Sequence, residues 1–159
     1  MRFFPLLAAL SALAPAFALE SRELSGDWSC STSYPALSAR LDEHYTFRAD
    51  GSAESDGVMT FFLKAGLLHY DLHSKDRWSL QDKALTIDIA DYTIARAFKP
   101  RMVEILAESP ELTAYEEKLF ASLKHGGENN RVQLTIVSHD GKSLQMRDGH
   151  GNVSECQRM

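Results

Sequence analysis

The 159-residue sequence is poor in cysteine, has no excess of basic residues, and has no apolar run long enough to cross a bilayer as a stable helix. It contains 17 Lys and Arg against 22 Asp and Glu, for a net charge of −5. A mildly acidic chain without a basic stripe is a poor match for a protein that binds nucleic acid or anionic lipid. The hydrophobic content of 44% and charged content of 25% are those of an ordinary single globular domain.

The sequence also lacks the common catalytic signatures. No serine stands in a Gly-x-Ser-x-Gly arrangement, and Gly126-Gly127 lacks the Lys and Ser/Thr of a phosphate-binding loop. No spacing of acidic residues identifies a general acid and its base. We therefore expect a non-catalytic protein without a cofactor.

Residues 1–18 have the pattern of an export signal. Arg2 supplies the basic start, residues 6–13 supply an apolar core, and Ala16-Phe17-Ala18 forms a small-x-small cleavage site. We expect cleavage after Ala18, which leaves residues 19–159 as one domain in the periplasm or the medium. The alternative is an uncleaved N-terminal membrane anchor.

Two cysteines, Cys30 and Cys156, lie near the two ends of the expected mature chain. In an exported protein, a single disulfide between them is the natural expectation. The alternative is a pair of free thiols in a reactive or metal-binding site, but the sequence has no Cys-x-x-Cys pair to support it.

Short segments of strand length recur along most of the chain, separated by turn-forming residues. Three Asp-Gly pairs, Asp50-Gly51, Asp140-Gly141 and Asp148-Gly149, favour tight hairpins. The predicted strands are 26–33, 44–49, 53–63, 67–73, 76–80, 84–92, 131–138, 142–148 and 152–158. This pattern predicts a mostly β protein, an antiparallel meander of 8–9 strands that closes as a barrel, with a sandwich as the alternative.

Residues 99–125 interrupt the strands with a helical pattern. Ser109-Pro110-Glu111 is typical of a helix start, and Gly126-Gly127 of a helix end. The apolar residues that recur at helical spacing are Leu112, Tyr115, Leu119 and Leu123. We expect this stripe to pack on the barrel as a lid or brace. The alternative is a ligand or partner surface, to which Tyr70 would also belong.

His69, Asp71 and His73 alternate along one predicted strand and therefore share a face. Imidazoles and a carboxylate on one face are potential metal ligands. Both histidines could hardly reach one ion, however, because they are four residues apart on an extended chain. We expect a polar outer face and no metal.

The cysteines also predict a register. If the first and last strands pair antiparallel with Cys30 opposite Cys156, then Trp28 lies opposite Arg158, on the same face as the disulfide. A guanidinium over an indole contributes about 0.5–2 kcal/mol. The alternative is a solvated Arg158 near the end of the chain.

Gly26-Asp27-Trp28 resembles the Gly-x-Trp signature that opens the lipocalin-like (calycin) barrels. In that family a basic residue from near the chain end covers the tryptophan, and Arg158 matches that partner. The segment from Tyr45 to Gly51 is similar to the second strand and turn of small bacterial members. The helical segment departs from the family, because lipocalins usually carry their main helix after the last barrel strand.

The resemblance implies a binding module whose target is a small hydrophobic molecule or another exported protein. A protein target would make the chain a periplasmic inhibitor or an immunity-type factor. The contrasting expectation is an enzyme of unknown class.

Overall fold

The computed structural model describes residues 19–127 and 130–159, in which eight strands form a closed antiparallel barrel with each strand beside its neighbour in sequence. The strands are β1 (Gly26–Tyr34), β2 (Ala39–Phe47), β3 (Ser52–Leu63), β4 (Gly66–Gln81), β5 (Ala84–Arg96), β6 (Arg131–His139), β7 (Ser143–Asp148) and β8 (Val153–Arg158). The helices are α1 (Ser21–Leu24), α2 (Pro100–Glu108) and α3 (Pro110–Gly127), with a 3-10 turn at Pro35–Leu37. The predicted fold class is confirmed. The expected export signal lies outside the described residues.

The barrel has eight strands because two predicted strands, 67–73 and 76–80, form the single strand β4. The backbone stays extended through Ser74 and Lys75, and only the pairing with β5 shifts register, between Lys75 and Asp76. The predicted start of β2 at residue 44 was also wrong. This strand begins at Ala39, and the polar Glu43 at an inward-facing position interrupts its alternation of apolar and polar residues.

The helical insertion lies between β5 and β6, as predicted. Leu112, Leu119 and Leu123 are partly buried against a core cluster that includes Phe61, Leu68 and Tyr70 inside the barrel. Tyr115, the fourth residue of the predicted stripe, instead faces outward and is 48% exposed. The pair of helices therefore covers one end of the barrel.

The seam between β1 and β8 closes the barrel. Cys30 faces Cys156 across the two strands, and a disulfide joins them with an S–S distance of 2.05 Å. Trp28 faces Arg158 in the same ladder, and the guanidinium carbon lies 4.3 Å from the centre of the indole ring. The register predicted from the cysteines is therefore confirmed.

Arg158 and Trp28 also hold α1 against its end of the barrel. The Arg158 guanidinium donates hydrogen bonds to the carbonyls of Ser25 and Gly141, both at 2.8 Å, and to that of Glu23. The Trp28 indole donates to the Leu24 carbonyl at 2.8 Å. A side chain at Gly26, where φ is +126°, would meet the guanidinium at 2.6 Å.

Two core clusters result, one at each end of the barrel. The cluster under α1 contains Leu24, Trp28, Phe47, Trp78, Leu85, Ile87, Ile136, Leu144 and the disulfide. The cluster under α2 and α3 contains Ala39, Phe61, Leu68, Tyr70 and Met102. The interior between them is more polar.

The closing role of Arg158 predicts that Arg158→Lys lowers the free energy of unfolding by about 1–3 kcal/mol, because lysine has no planar fork to stack on the indole and reach several carbonyls. Urea unfolding followed by circular dichroism measures this loss. The control is Arg147→Lys on the exposed face of β7. Equal stability of the two variants would contradict the role of Arg158.

The packing of the helical cap predicts that Leu119→Ala costs about 2 kcal/mol, because the leucine leaves a gap against the barrel. Tyr115→Ala on the exposed side of the same helix should change stability by less than about 0.5 kcal/mol. Thermal unfolding of both variants tests this difference. A cost at position 119 no larger than at position 115 would mean that α3 does not brace the barrel.

Candidate ligand cavity

A cavity of about 340 Å³ lies between the two core clusters. This volume is in the range of small-molecule binding sites. Its apolar lining comes from strands around the barrel and includes Leu41, Met59, Leu72, Ile89, Val132, Leu134 and Met146. Its polar lining includes Thr32, Glu43, Tyr45, Ser55, Ser74 and Ser154. The last turns of α3 contribute Ser122, Leu123, Gly126 and Gly127 to the wall.

Glu43 is the acidic residue of this wall. It lies on β2 in phase with Leu41 and Tyr45, which also line the cavity, and it faces Gly57 on β3. A side chain at Gly57 would meet the Glu43 Cβ at 2.8 Å and the Asp42 carbonyl at 3.1 Å. Glycine at position 57 therefore leaves the space that Glu43 occupies. Although Asp-Gly pairs are common in turns, Asp56 and Gly57 pair with β2 without interruption.

The barrel interior changes the acidity of Glu43. Burial raises the pKa of its carboxyl to about 8, with a further increase from the negative charge of Asp76, while the neighbouring Tyr45 hydroxyl lowers it. Burial and the charges of Glu43 and Asp76 raise the pKa of Tyr45 well above its usual range. Glu43 therefore retains its proton at a pH where an exposed glutamate is ionised.

Asp76 is a second acid inside the barrel, on β4. Its Oδ2 accepts a hydrogen bond of 2.7 Å from Ser74, whose hydroxyl lies 3.0 Å from that of Ser55. Its Oδ1 has no hydrogen-bond partner among the described residues, although only 5% of the residue is exposed. Burial raises the pKa of this carboxyl, and the Ser74 hydrogen bond and the charge of His73 oppose the change. An unpaired buried carboxylate oxygen is unusual, because each such atom costs free energy.

The opposite part of the wall carries neutral hydroxyls. Thr32 on β1 and Ser154 on β8 are both buried, and their hydroxyl oxygens lie 2.6 Å apart. They are next to the disulfide in the same seam. The cavity wall therefore carries one acid, Glu43 on β2, and neutral hydroxyls at the seam.

Hydrogen bonds to a buried carboxylate fix α3 over the barrel. Glu116, only 3% exposed, accepts hydrogen bonds from Arg96 at 2.8 and 3.0 Å and from the Tyr70 hydroxyl at 2.9 Å. The Arg96 guanidinium also lies 3.9 Å from the centre of the Phe120 ring. This carboxylate is fully paired, unlike those of Glu43 and Asp76.

The residues singled out from the sequence fall in several places. Tyr70 is fully buried and therefore belongs to the interior and not to an outer surface. Leu123 lines the cavity, Leu112 and Leu119 pack in the cap, and Tyr115 faces outward. Gly26, Trp28, Arg158 and the two cysteines form the closed end and its seam.

His69, Asp71 and His73 do not converge. The Nδ1 of His69 lies 3.1 Å from the Thr60 hydroxyl, and the Nδ1 of His73 lies 2.9 Å from the Asp56 carboxylate. Across the part of the chain that the structure describes, no three His, Cys, Asp or Glu side chains are grouped to hold a metal ion.

Neither Glu43 nor Asp76 is among the residues predicted from the sequence. The signal was their spacing along the strands. Glu43 is two residues from Leu41 and Tyr45 and four from Phe47, and Asp76 is two residues from Trp78, so each acid shares a face with apolar residues. A carboxylate in step with apolar residues on a strand points to the same interior face.

Comparisons with known proteins add little to this geometry. No protein-family model and no curated protein matches the sequence. A solved structure of an uncharacterized protein from Bacteroides eggerthii is 13% identical, with a TM-score of 0.42 over 85% of this chain and 98% of that one. No helix among residues 19–127 and 130–159 is long and apolar enough to cross a membrane.

The raised pKa of Glu43 predicts that the protein loses stability as the pH rises. From about pH 4.5 to about pH 8 the folded state holds a proton that the unfolded state has released, so the free energy of unfolding falls with increasing pH. Glu43→Gln removes this loss. The variant should be more stable than wild type by on the order of 2 kcal/mol near pH 8 and about equal near pH 4.

Urea unfolding at several pH values measures this difference. Glu155→Gln on the exposed face of β8 is the matched control for the loss of one negative charge. The same pH dependence in wild type and Glu43→Gln would show that another group is responsible.

Proposed function

We propose that this protein is an exported, non-catalytic binding protein that holds a small molecule in the barrel cavity. The cavity itself is the observation that supports the proposal most directly. A space of about 340 Å³ between two packed clusters is large enough to hold a small molecule. Its mixture of apolar walls and a few polar groups is typical of ligand sites.

We also propose that the barrel is lipocalin-like. The supporting features are the closed meander, the Gly26-x-Trp28 pattern on β1 and the Arg158 guanidinium over the indole. The helices between β5 and β6 are the main departure from that family. They cover the end of the barrel opposite to α1.

Export to the periplasm or medium is part of the same proposal. The Cys30–Cys156 disulfide fits a non-cytoplasmic protein, because disulfides persist in oxidising compartments. The leader pattern of residues 1–18 supports the same compartment.

A second candidate is the binding of another exported protein, as an inhibitor or immunity-type factor. The specific observation in its favour is an apolar pair on the outer surface of the β3–β4 hairpin. Phe62 and Leu67 face each other there and are 48% and 39% exposed. An exposed apolar pair is a small patch, so it supports this function less strongly than the cavity supports the first.

Filling the cavity tests the first candidate. We expect the neutral dye N-phenyl-1-naphthylamine to bind the purified protein with increased fluorescence. Val132→Phe places a ring in the cavity wall and should weaken dye binding by about tenfold or more, because the ring occupies the binding volume.

Val137→Phe is the matched control, because Val137 lies on the same strand and is exposed. It should leave dye binding unchanged. Equal binding to both variants, or no binding to wild type, would contradict a ligand site in the barrel.

A further inference from the structure

The acids of the barrel interior lack a positive partner. Neither Glu43 nor Asp76 takes part in an ion pair among the described residues, and no lysine or arginine lines the cavity. By contrast, the buried Glu116 of the cap is paired with Arg96. Buried carboxylates are normally paired or neutralised, because an isolated charge in a poorly solvated interior is costly.

Asp76 provides a second observation, which is a buried acceptor atom without a hydrogen-bond donor. Its Oδ1 is buried and unpartnered, while its Oδ2 is bonded to Ser74, which lines the cavity. The negative charge of Asp76 also raises the pKa of Glu43. Glu43 therefore lines the cavity without a lysine or arginine partner, and a second acid with a vacant acceptor lies beside Ser74 of the same lining.

We propose that the ligand of this cavity carries a protonated amine, bound by the Glu43 carboxylate with Asp76 as a second negative charge, and an apolar body that packs on the rest of the lining. This inference rests on the proposed small-molecule binding. The apolar body would contact Leu41, Met59, Leu72 and Ile89. The ammonium group would supply hydrogen-bond donors to carboxylate oxygens, which are the strong class of such bonds.

Other ligand chemistries fit less well. An anion would meet the Glu43 carboxyl and no lysine or arginine in the cavity wall. A neutral molecule would bring no counter-charge to either acid in its ionised form. A hard divalent cation such as Ca²⁺ or Mg²⁺ takes six or more oxygen ligands, whereas no group of three His, Cys, Asp or Glu occurs among the described residues.

The ionisation of Glu43 should couple amine binding to pH. An ammonium group binds the carboxylate form, and that form is populated as the pH passes about 8. Amine affinity should therefore rise from about pH 7 to about pH 9, while a primary amine is still protonated. The other titratable groups that face this region are Tyr34 on β1, Tyr45 on β2, His73 and Asp76 on β4, Tyr92 on β5 and Asp148 on β7.

The test uses three probes with the same chain and different head groups: n-octylamine, 1-octanol and octanoate. Each displaces N-phenyl-1-naphthylamine from the full protein at about pH 8.5, where the amine is charged. We expect n-octylamine to bind about tenfold more tightly than 1-octanol, because a charged hydrogen bond replaces a neutral one, and octanoate to bind most weakly.

Glu43→Gln should bring the ratio of amine to alcohol affinity close to one, and Asp76→Asn should lower it by a smaller factor. Glu155→Gln removes a negative charge from the outer surface and should keep the wild-type ratio. If Glu43→Gln does not fold, the pH profile of wild type provides the same discrimination, since only amine binding should strengthen with pH.

The outcomes separate the two proposals. Equal affinity for n-octylamine and 1-octanol, or tighter binding of octanoate, would overturn the amine assignment and leave small-molecule binding in place. Failure of the dye and of all three probes to bind would overturn both. A preference for the amine that survives in Glu43→Gln would also overturn the assignment of Glu43.

Discussion

The seam between the first and last strands is the interaction on which the barrel depends. A meander of eight strands closes only if β8 finds β1 in the correct register, and here a disulfide, a guanidinium–indole contact and a hydroxyl pair all fix the same register. The covalent link joins residues 126 positions apart. In the chain-entropy model such a long loop contributes about 4–5 kcal/mol, mainly by restricting the unfolded chain.

Closure of the barrel also explains why its interior can hold acids. The apolar clusters at the two ends contain the largest buried side chains, and each is covered by helical residues. The middle section need not contribute as much to stability, so carboxyl and hydroxyl groups can occupy it. Cores that sacrifice some stability in this way commonly do so at functional sites. The raised pKa of Glu43 has the same origin, since burial disfavours the charged form of its carboxyl.

The fold was predictable from the sequence because its signals are local. Asp50-Gly51 and Asp140-Gly141 produce turns, with the glycines at φ of +79° and +86°. Ser109-Pro110 separates two helices, and the cysteines specify one strand pair. The long strand β4 was divided because polar Ser74 and Lys75 interrupt its apolar residues. Only the pairing with both neighbours shows that the strand continues.

The candidate site was harder to predict, because glutamate and aspartate are residue types that usually lie on the protein surface. Glu43 and Asp76 are on β2 and β4, and only the pairing of both strands with β3 brings them to the same part of the barrel. The space for Glu43 depends on a glycine 14 positions away on the adjacent strand, a relation that requires the β2–β3 register. His69, Asp71 and His73 offered a stronger local pattern, yet two of them have separate partners on β3.

A cylinder in which every strand has two hydrogen-bonded neighbours has no free sheet edge among the residues described. Another polypeptide therefore finds no row of unpaired amides and carbonyls along which to extend the sheet, which is the usual route to strand exchange and to fibrous aggregation. A protein that recognises this one must use its loops, helices or side-chain surface.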